Sequence, residues 1–283
     1  MATYLAYPGT VGAGYMDYSI VDKVVVPPEQ ANVGFSEKMV YLPHTYQANG
    51  YNNEDFSSPA AVVDVKFIRN SRGLAGFLES WGTKGRVLCN YNTIHKMEPE
   101  SFGVFINIMK RFAPGSVLLL LGSSPDPAHG VELNIKAEAA SKGIHPDRIW
   151  FDEKLPREEH ISRASGSCDL FVDSFVYGAH TTAADALWAG LPLLTLRGYG
   201  VVGQMSGRVG TSLVSALGLP ELSFYSAKEL EDAAVGLVTS PGRLASLRAR
   251  QADEAMSTPV FDTHLITRNL ERAYEAMWEI REL

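Results

Sequence analysis

His180, Thr181 and Thr182 stand together just before an alanine-rich stretch, and Asp185 follows three positions after Thr182. Two hydroxyls and an imidazole at the start of a helix suit a phosphate, because the first turn carries unpaired N–H groups and the positive end of the helix dipole. Asp185, one turn on, is placed to meet a hydroxyl such as that of a ribose. The same residues also read as a plain threonine cap with a favourable acid in the first turn. A second group, Asn90 to Lys96 (NYNTIHK), holds Lys96, which is either a counter-charge for a diphosphate or an ordinary surface lysine. A third, Leu155 to His160 (LPREEH) followed by Arg163, sets His160 and Arg163 on one helix face. The glycine-dense Gly198 to Gly210 is a weak phosphate signal and reads equally as a flexible loop. His160 and His180 lack metal-ligand spacing, so no metal is expected, and there is no Walker loop or G-x-S-x-G elbow.

These groups need elements that bring them to one place. Asp169 to Val172 and Leu193 to Leu196 are short apolar runs on either side of the alanine-rich helix, which stops at Gly190-Leu191-Pro192; this is the pattern of a parallel α/β unit. Strands are also expected at Val87 to Tyr91, Ser116 to Leu121 and Arg148 to Phe151. Helices are expected at Glu100 to Phe112, Val131 to Lys142, Arg157 to Ala164, Met205 to Leu217, Ala227 to Leu237, Gly242 to Met256 and His264 to Leu283. Ser226 with Glu229 forms a candidate capping box. In a parallel sheet the loops after Tyr91, Phe151 and Val172 open on one edge, so the three candidate groups converge there.

Residues 1–60 have another rhythm, with short pieces separated by Pro and Gly. A β-like run at Lys23 to Val26 and another at Lys38 to Leu42 read as strands seeking a partner, not as an independent domain. Asn49 to Pro59 reads as a polar linker or surface loop. The organisation expected is thus a first part over 1–60, a linker over 61–83, a Rossmann-like domain over 84–260 and a final helix over 261–283.

The 283 residues are 46% hydrophobic and 20% charged, enough for a substantial core, and the net charge of -7 argues against a general nucleic-acid or anionic-membrane binder. Cys89 and Cys168 lie far apart in sequence, which fits a reduced compartment better than a disulfide scaffold. No basic-then-apolar leader and no run of membrane-spanning length occurs, so a cytoplasmic or nuclear-cytoplasmic location is expected.

With these residues assembled, the chain resembles the catalytic region of the protein O-linked N-acetylglucosamine transferases, the inverting family that includes the SPINDLY-type transferases. The phrases that carry the resemblance are YPGTVGAGYMDY (Tyr7–Tyr18), FSEKMVYLPHTYQ (Phe35–Gln47), the loop with Asn92 and Lys96, LPREEHISR (Leu155–Arg163) and GAHTTAADALWAGLPLLT (Gly178–Thr195). The resemblance implies an α/β fold: the Rossmann-like C-terminal lobe of a GT-B glycosyltransferase with a remnant of the N-terminal lobe. It implies UDP-N-acetylglucosamine as donor and Ser or Thr hydroxyls of proteins as acceptor, with no cofactor.

By the same resemblance Lys96 would act catalytically on the leaving diphosphate, with Thr93 beside it. His180, Thr181 and Thr182 would hold phosphates, Asp185 the ribose hydroxyls, and His160 would pack near the uridine, framed by Arg157 and Arg163. The family often has glutamine where Thr93 stands, tyrosine at His95 and lysine at Arg157. Most of the N-terminal lobe and the tetratricopeptide repeats of such enzymes are absent from this chain and would be partners in cis or in trans. The chain is therefore expected to have little transferase activity alone. The alternatives are a non-catalytic UDP-sugar-binding or interaction module of that origin, and an α/β domain whose pocket has decayed.

Overall fold

A computed structural model describes residues 1–51, 76, 85–122, 130–198 and 204–282. The expected linker over 61–83 lies outside the described residues except for Gly76, and Asn49 to Pro59 is described only to Tyr51. Among the described residues nine strands fall into two parallel sheets. β1 (Ala2–Tyr4), β2 (Tyr18–Val21) and β3 (Lys38–Tyr41) make the first, in the order β1-β2-β3. The second contains β4 (Val87–Asn90), β5 (Val117–Leu121), β6 (Ile149–Asp152), β7 (Leu170–Val172), β8 (Leu193–Leu196) and β9 (Ser223–Phe224). Its order, β6-β5-β4-β7-β8-β9, is that of the dinucleotide-binding doubly wound fold.

That order decides where a ligand can sit. β4 is flanked by β5 and β7, so the chain winds outward in opposite directions on its two sides, and the connections after β4 and β7 diverge to leave a crevice. Leu88 pairs with Leu170 and Cys89 with Phe171, bringing the carboxyl ends of the two strands level.

The strands form as their composition requires. Every residue of β5, VLLLL, is buried, as in a parallel sheet covered on both faces. Pro99 occupies the first turn of α2 (Pro99–Arg111), whose Phe102, Phe105, Ile106 and Met109 turn into the core. α3 (Gly130–Ser141), α4 (Arg157–Ser167) and α5 (Thr181–Trp188) complete the next crossovers. α5 is stopped by a Schellman turn at Gly190, where φ is +70°: the Gly190 N–H bonds the Leu187 carbonyl and the Leu191 N–H bonds that of Ala186. α6 (Val209–Ala216), α7 (Ala227–Thr239), α8 (Pro241–Ser257) and α9 (Thr263–Glu282) follow. Ser226 caps α7 by accepting from the Glu229 N–H, but Glu229 returns its bond to the Tyr225 N–H, so the reciprocal half of the box is displaced by one residue.

Two expectations are corrected. Lys23 to Val26 is not a strand: the buried Asp22 carboxylate takes the N–H groups of Val24 and Val25 at 2.8 and 2.9 Å, folding the run into a turn that its β-branched residues do not announce. The helix expected over Met205 to Leu217 is broken, with a 3₁₀ turn at Met205–Gly207 and α6 beginning only at Val209. A short helix, α1 (Pro28–Gly34), lies where only proline punctuation was evident.

The first sheet does not stand apart. Ile20 and Leu42 pack with Ala273 and Met277 of α9. Asp22 Oδ2 accepts from the Tyr46 N–H and from Ser212 Oγ of α6, at 2.8 and 2.7 Å.

Candidate functional site

The crevice between β4 and β7 is built on Asp173, the residue after β7. It is fully buried, and its Oδ1 accepts from the N–H groups of Ser174 (2.8 Å) and Ala179 (2.7 Å) and from Asn92 Nδ2 (3.1 Å), while Oδ2 accepts from Thr195 Oγ1 (3.1 Å). Burial raises its pKa to about 6 against the pull of these bonds. A Cβ on Gly178 would meet Oδ2 at 2.9 Å and one on Gly210 at 2.8 Å, so both glycines are needed for the chain to wrap this carboxylate. Within the glycine-dense segment Gly210 serves close packing, and 199–203 lie outside the described residues.

Asn92 joins the two sides of the crevice. Its Nδ2 reaches Asp173 and Ser174 Oγ, and its Oδ1 accepts from Thr182 Oγ1 at 2.9 Å. Asn90 ends β4 by donating to the Val172 carbonyl at 2.8 Å and accepting from the Asn92 N–H at 3.0 Å. These bonds place the 94–96 turn beside the start of α5. Lys96 Nζ then donates to the Gly178 carbonyl at 3.2 Å and lies 4.2 Å above the Tyr177 ring. Its half-buried ammonium has a lowered pKa through burial, opposed by the charge of Asp173. Thr93 lies on the rim, 3.3 Å from His95 Nε2.

At the start of α5 no side chain caps the helix. The N–H groups of Ala183 and Ala184 turn back to the His180 carbonyl, and those of Thr181 and Thr182 belong to the first turn, which has no carbonyl partner within the helix. His180 stacks on Tyr177 with centroids 4.9 Å apart, and its Nε2 is 3.0 Å from the Ser206 carbonyl. Burial, with the Lys96 charge adding, lowers its pKa to about 4, so at neutral pH the imidazole is uncharged. A carbonyl partner requires the proton on Nε2, which leaves Nδ1 as an acceptor.

Asp185 is buried and points toward the N-terminal segment. Its Oδ1 accepts from Tyr51 OH at 2.6 Å and from Arg157 Nε at 3.0 Å. Arg157, at the start of α4, is itself substantially exposed, its guanidinium 4.5 Å over the Tyr51 ring. His160 lies edge-on to Tyr91 at 4.8 Å, and burial lowers its pKa. Arg163 is buried: it donates to the Glu153 carbonyl (2.8 Å), pairs with Asp152 (3.3 Å) and meets His160 Nδ1 (3.2 Å). It therefore holds His160 from behind instead of facing the crevice.

The structure thus brings Thr93, Lys96, His180, Thr181 and Thr182 to the crevice, with Arg157, His160 and Asp185 along one flank. Asp173 and Tyr51 were absent from the candidate residues, and Asn92 stood among them only as part of the Asn90 to Lys96 loop, with no role of its own; the polar Asp-Ser pair that abruptly ends the apolar run of β7 was the available signal for Asp173. Among the described residues no group of three or more His, Cys, Asp or Glu side chains could hold a metal ion.

The sequence matches the glycosyl transferase family 41 profile over residues 1–63 and 80–270. The chain belongs to glycosyl transferase family 41. Among family members it is similar to the probable UDP-N-acetylglucosamine–peptide N-acetylglucosaminyltransferase SEC of Arabidopsis thaliana, at 36% identity over 281 residues, 98% of this chain and 26% of that protein. The UDP-N-acetylglucosamine–peptide N-acetylglucosaminyltransferase of Caenorhabditis elegans is 32% identical over 373 residues, 98% of this chain and 32% of that protein. A mutant of the Thermobaculum terrenum O-GlcNAc transferase superposes with a TM-score of 0.80 at 26% identity, covering 98% of this chain and 48% of that one. The chain therefore has the α/β architecture of the GT-B catalytic lobe of family 41. It spans between a quarter and a third of the length of these curated relatives.

Proposed function

We propose that this chain forms the UDP-N-acetylglucosamine-binding lobe of a protein O-glycosyltransferase, which moves the sugar to Ser or Thr hydroxyls with inversion. The observation that carries this reading is the meeting of Lys96 with the uncapped start of α5 across the crevice, held by Asn92 and Asp173. A cation and a helix end facing one spot suit a diphosphate.

The residues divide the donor between them. The N–H groups of Thr181 and Thr182, with the Thr181 hydroxyl, take phosphate oxygens, and Lys96 neutralises the diphosphate, with Thr93 at the rim. Thr182 Oγ1 already donates to Asn92, so its contribution is its backbone. His180, neutral with Nδ1 left to accept, suits a sugar hydroxyl better than a phosphate oxygen. Asp185 and Arg157 take the ribose, and His160, fixed by Arg163, lies against the base. In the transfer the acceptor oxygen bonds to the anomeric carbon from the face opposite UDP, and the bond from that carbon to the β-phosphate oxygen breaks. Its electron pair leaves with UDP, and the hydroxyl proton passes to a base. The departing charge falls on Lys96 and the α5 N–H groups, which here take the part a metal plays elsewhere.

We also propose that this chain turns over little acceptor by itself and works in the cytoplasm or nucleus. The similar bacterial chain is about twice as long in the aligned sense, this chain covering 48% of it, and a one-lobed site neither excludes water nor orients an acceptor. Calorimetric titration with UDP tests the donor site. Binding of micromolar order, lost in a Lys96→Ala/Thr181→Ala/Thr182→Ala variant, is the expected result; no binding by the folded wild type overturns it. Robust peptide glycosylation by the chain alone would overturn the second proposal, and binding without transfer fits both a donor lobe and a non-catalytic module.

A further inference from the structure

We propose that Tyr51 is a positioning residue that aims the Asp185 carboxylate at the ribose hydroxyls and so brings the N-terminal segment into nucleotide selection; this rests on the donor-site reading above. Tyr51 is 134 residues from Asp185 in sequence and fully buried, and its hydroxyl makes the 2.6 Å bond to Oδ1. Its ring is fixed on three sides. It stacks on Trp188, one turn beyond Asp185 in α5, with centroids 5.3 Å apart; it meets the edge of Phe261 at 5.3 Å; and the Arg157 guanidinium covers it at 4.5 Å.

The backbone before Tyr51 is held as firmly. Asn49 Nδ2 donates to the Val260 carbonyl at 3.0 Å, and Thr263 Oγ1 donates to the Asn49 carbonyl at 2.9 Å. The aromatic clamp alone needs no hydroxyl, since phenylalanine would fill the same space. The hydroxyl adds a directed bond to one oxygen of a carboxylate that Arg157 also grips, and it bonds Arg157 as well. Burial raises the phenol pKa, which keeps it a donor across the working range. A carboxylate held at one oxygen by two donors presents a fixed acceptor geometry to a vicinal diol, the chemistry that separates a ribonucleotide from one lacking those hydroxyls.

The test compares UDP with 2′,3′-dideoxy-UDP and inorganic pyrophosphate by calorimetry on the full chain. The wild type is expected to prefer UDP over the dideoxy compound, and Tyr51→Phe to lose about tenfold in UDP affinity, as for a hydrogen bond to a charged group. Dideoxy-UDP and pyrophosphate should bind as before, so the ribose preference collapses; general loosening of the structure would weaken all three ligands. An unchanged ratio of UDP to dideoxy-UDP affinity in Tyr51→Phe overturns the inference. Wild type that binds UDP without distinguishing the dideoxy compound overturns it while sparing the donor site, whereas wild type that binds no UDP overturns both. Should Tyr51→Phe not fold, 4-aminophenylalanine at position 51 keeps the ring and a weaker donor. A reduced ribose preference is then expected, and a wild-type ratio overturns the inference.

Discussion

Thr182 Oγ1 and Asn92 Oδ1 lie 2.9 Å apart, a bond between residues 90 positions apart that ties the start of α5 to the loop after β4. Since Asn92 Nδ2 also donates to the buried Asp173 and to Ser174, one amide sets the width of the crevice. Replacing it with Asn92→Leu leaves Asp173 short of a donor and Thr182 without its acceptor. A loss of about 1–3 kcal/mol in stability is expected from the stranded polar groups. Urea unfolding measures that cost, and UDP titration should show weaker binding in the variant even where it is fully folded.

The sequence made the positions of the elements legible more readily than their meeting. The continuous apolar run of β5, the proline that opens α2 and the Gly190-Leu191-Pro192 stop each have one local cause, and each element appears within a residue or two of where it was expected. The convergence of Lys96 with Thr181 depended on strand order, which no local pattern carries. Asn92 and Asp173 look like ordinary turn residues in sequence, and only burial reveals them as a connected network. Charge type also gave no direction: Arg163 reads as a ligand-facing cation but is buried against Asp152 and the Glu153 carbonyl. Tyr51 was beyond reach because nothing near it in the chain explains its hydroxyl.

Gly210 opens a test of the packing around Asp173. An added Cβ would lie 2.8 Å from Asp173 Oδ2 and 2.9 Å from Thr195 Oγ1, both inside van der Waals contact. Gly210→Ala must displace one of these buried groups and disturb their mutual bond. Overpacking of this kind costs about 1–3 kcal/mol. A lowered melting temperature is expected, whereas Gly103→Ala, at a helical glycine where an added Cβ meets nothing within 4 Å, should not lower it.

Ser212 links the two sheets through Asp22. Its hydroxyl is one of four donors to that buried carboxylate, beside the N–H groups of Val24, Val25 and Tyr46, and Thr45 Oγ1 lies 2.9 Å from the same hydroxyl. Burial already raises the Asp22 pKa, so losing a donor raises it further. Ser212→Ala is expected to cost about 1–3 kcal/mol. Hydrogen exchange should show the loss concentrated in β2 and in Thr45 to Tyr51, where the first sheet is joined to α6.

Asp173 and His180 oppose each other in their dependence on pH. Asp173 rises from 3.8 to about 6 on folding, so between those values the folded chain holds more protons than the unfolded one, and its contribution is lost as pH rises through 6. His180 falls from 6.5 to about 4, so over nearly the same range the unfolded chain holds more protons, and stability is lost as pH falls from 6.5 toward 4. Each shift corresponds to about 3 kcal/mol, and in the wild type the two slopes largely cancel. Asp173→Asn should expose the histidine slope, giving a chain whose stability climbs from pH 4 to 6.5. His180→Gln, which retains a donor for the Ser206 carbonyl, should expose the carboxylate slope, with stability falling from pH 4 to 6. Urea unfolding of the wild type and both variants at half-unit pH steps measures the slopes. If both variants keep the wild-type profile, these two groups do not titrate against each other.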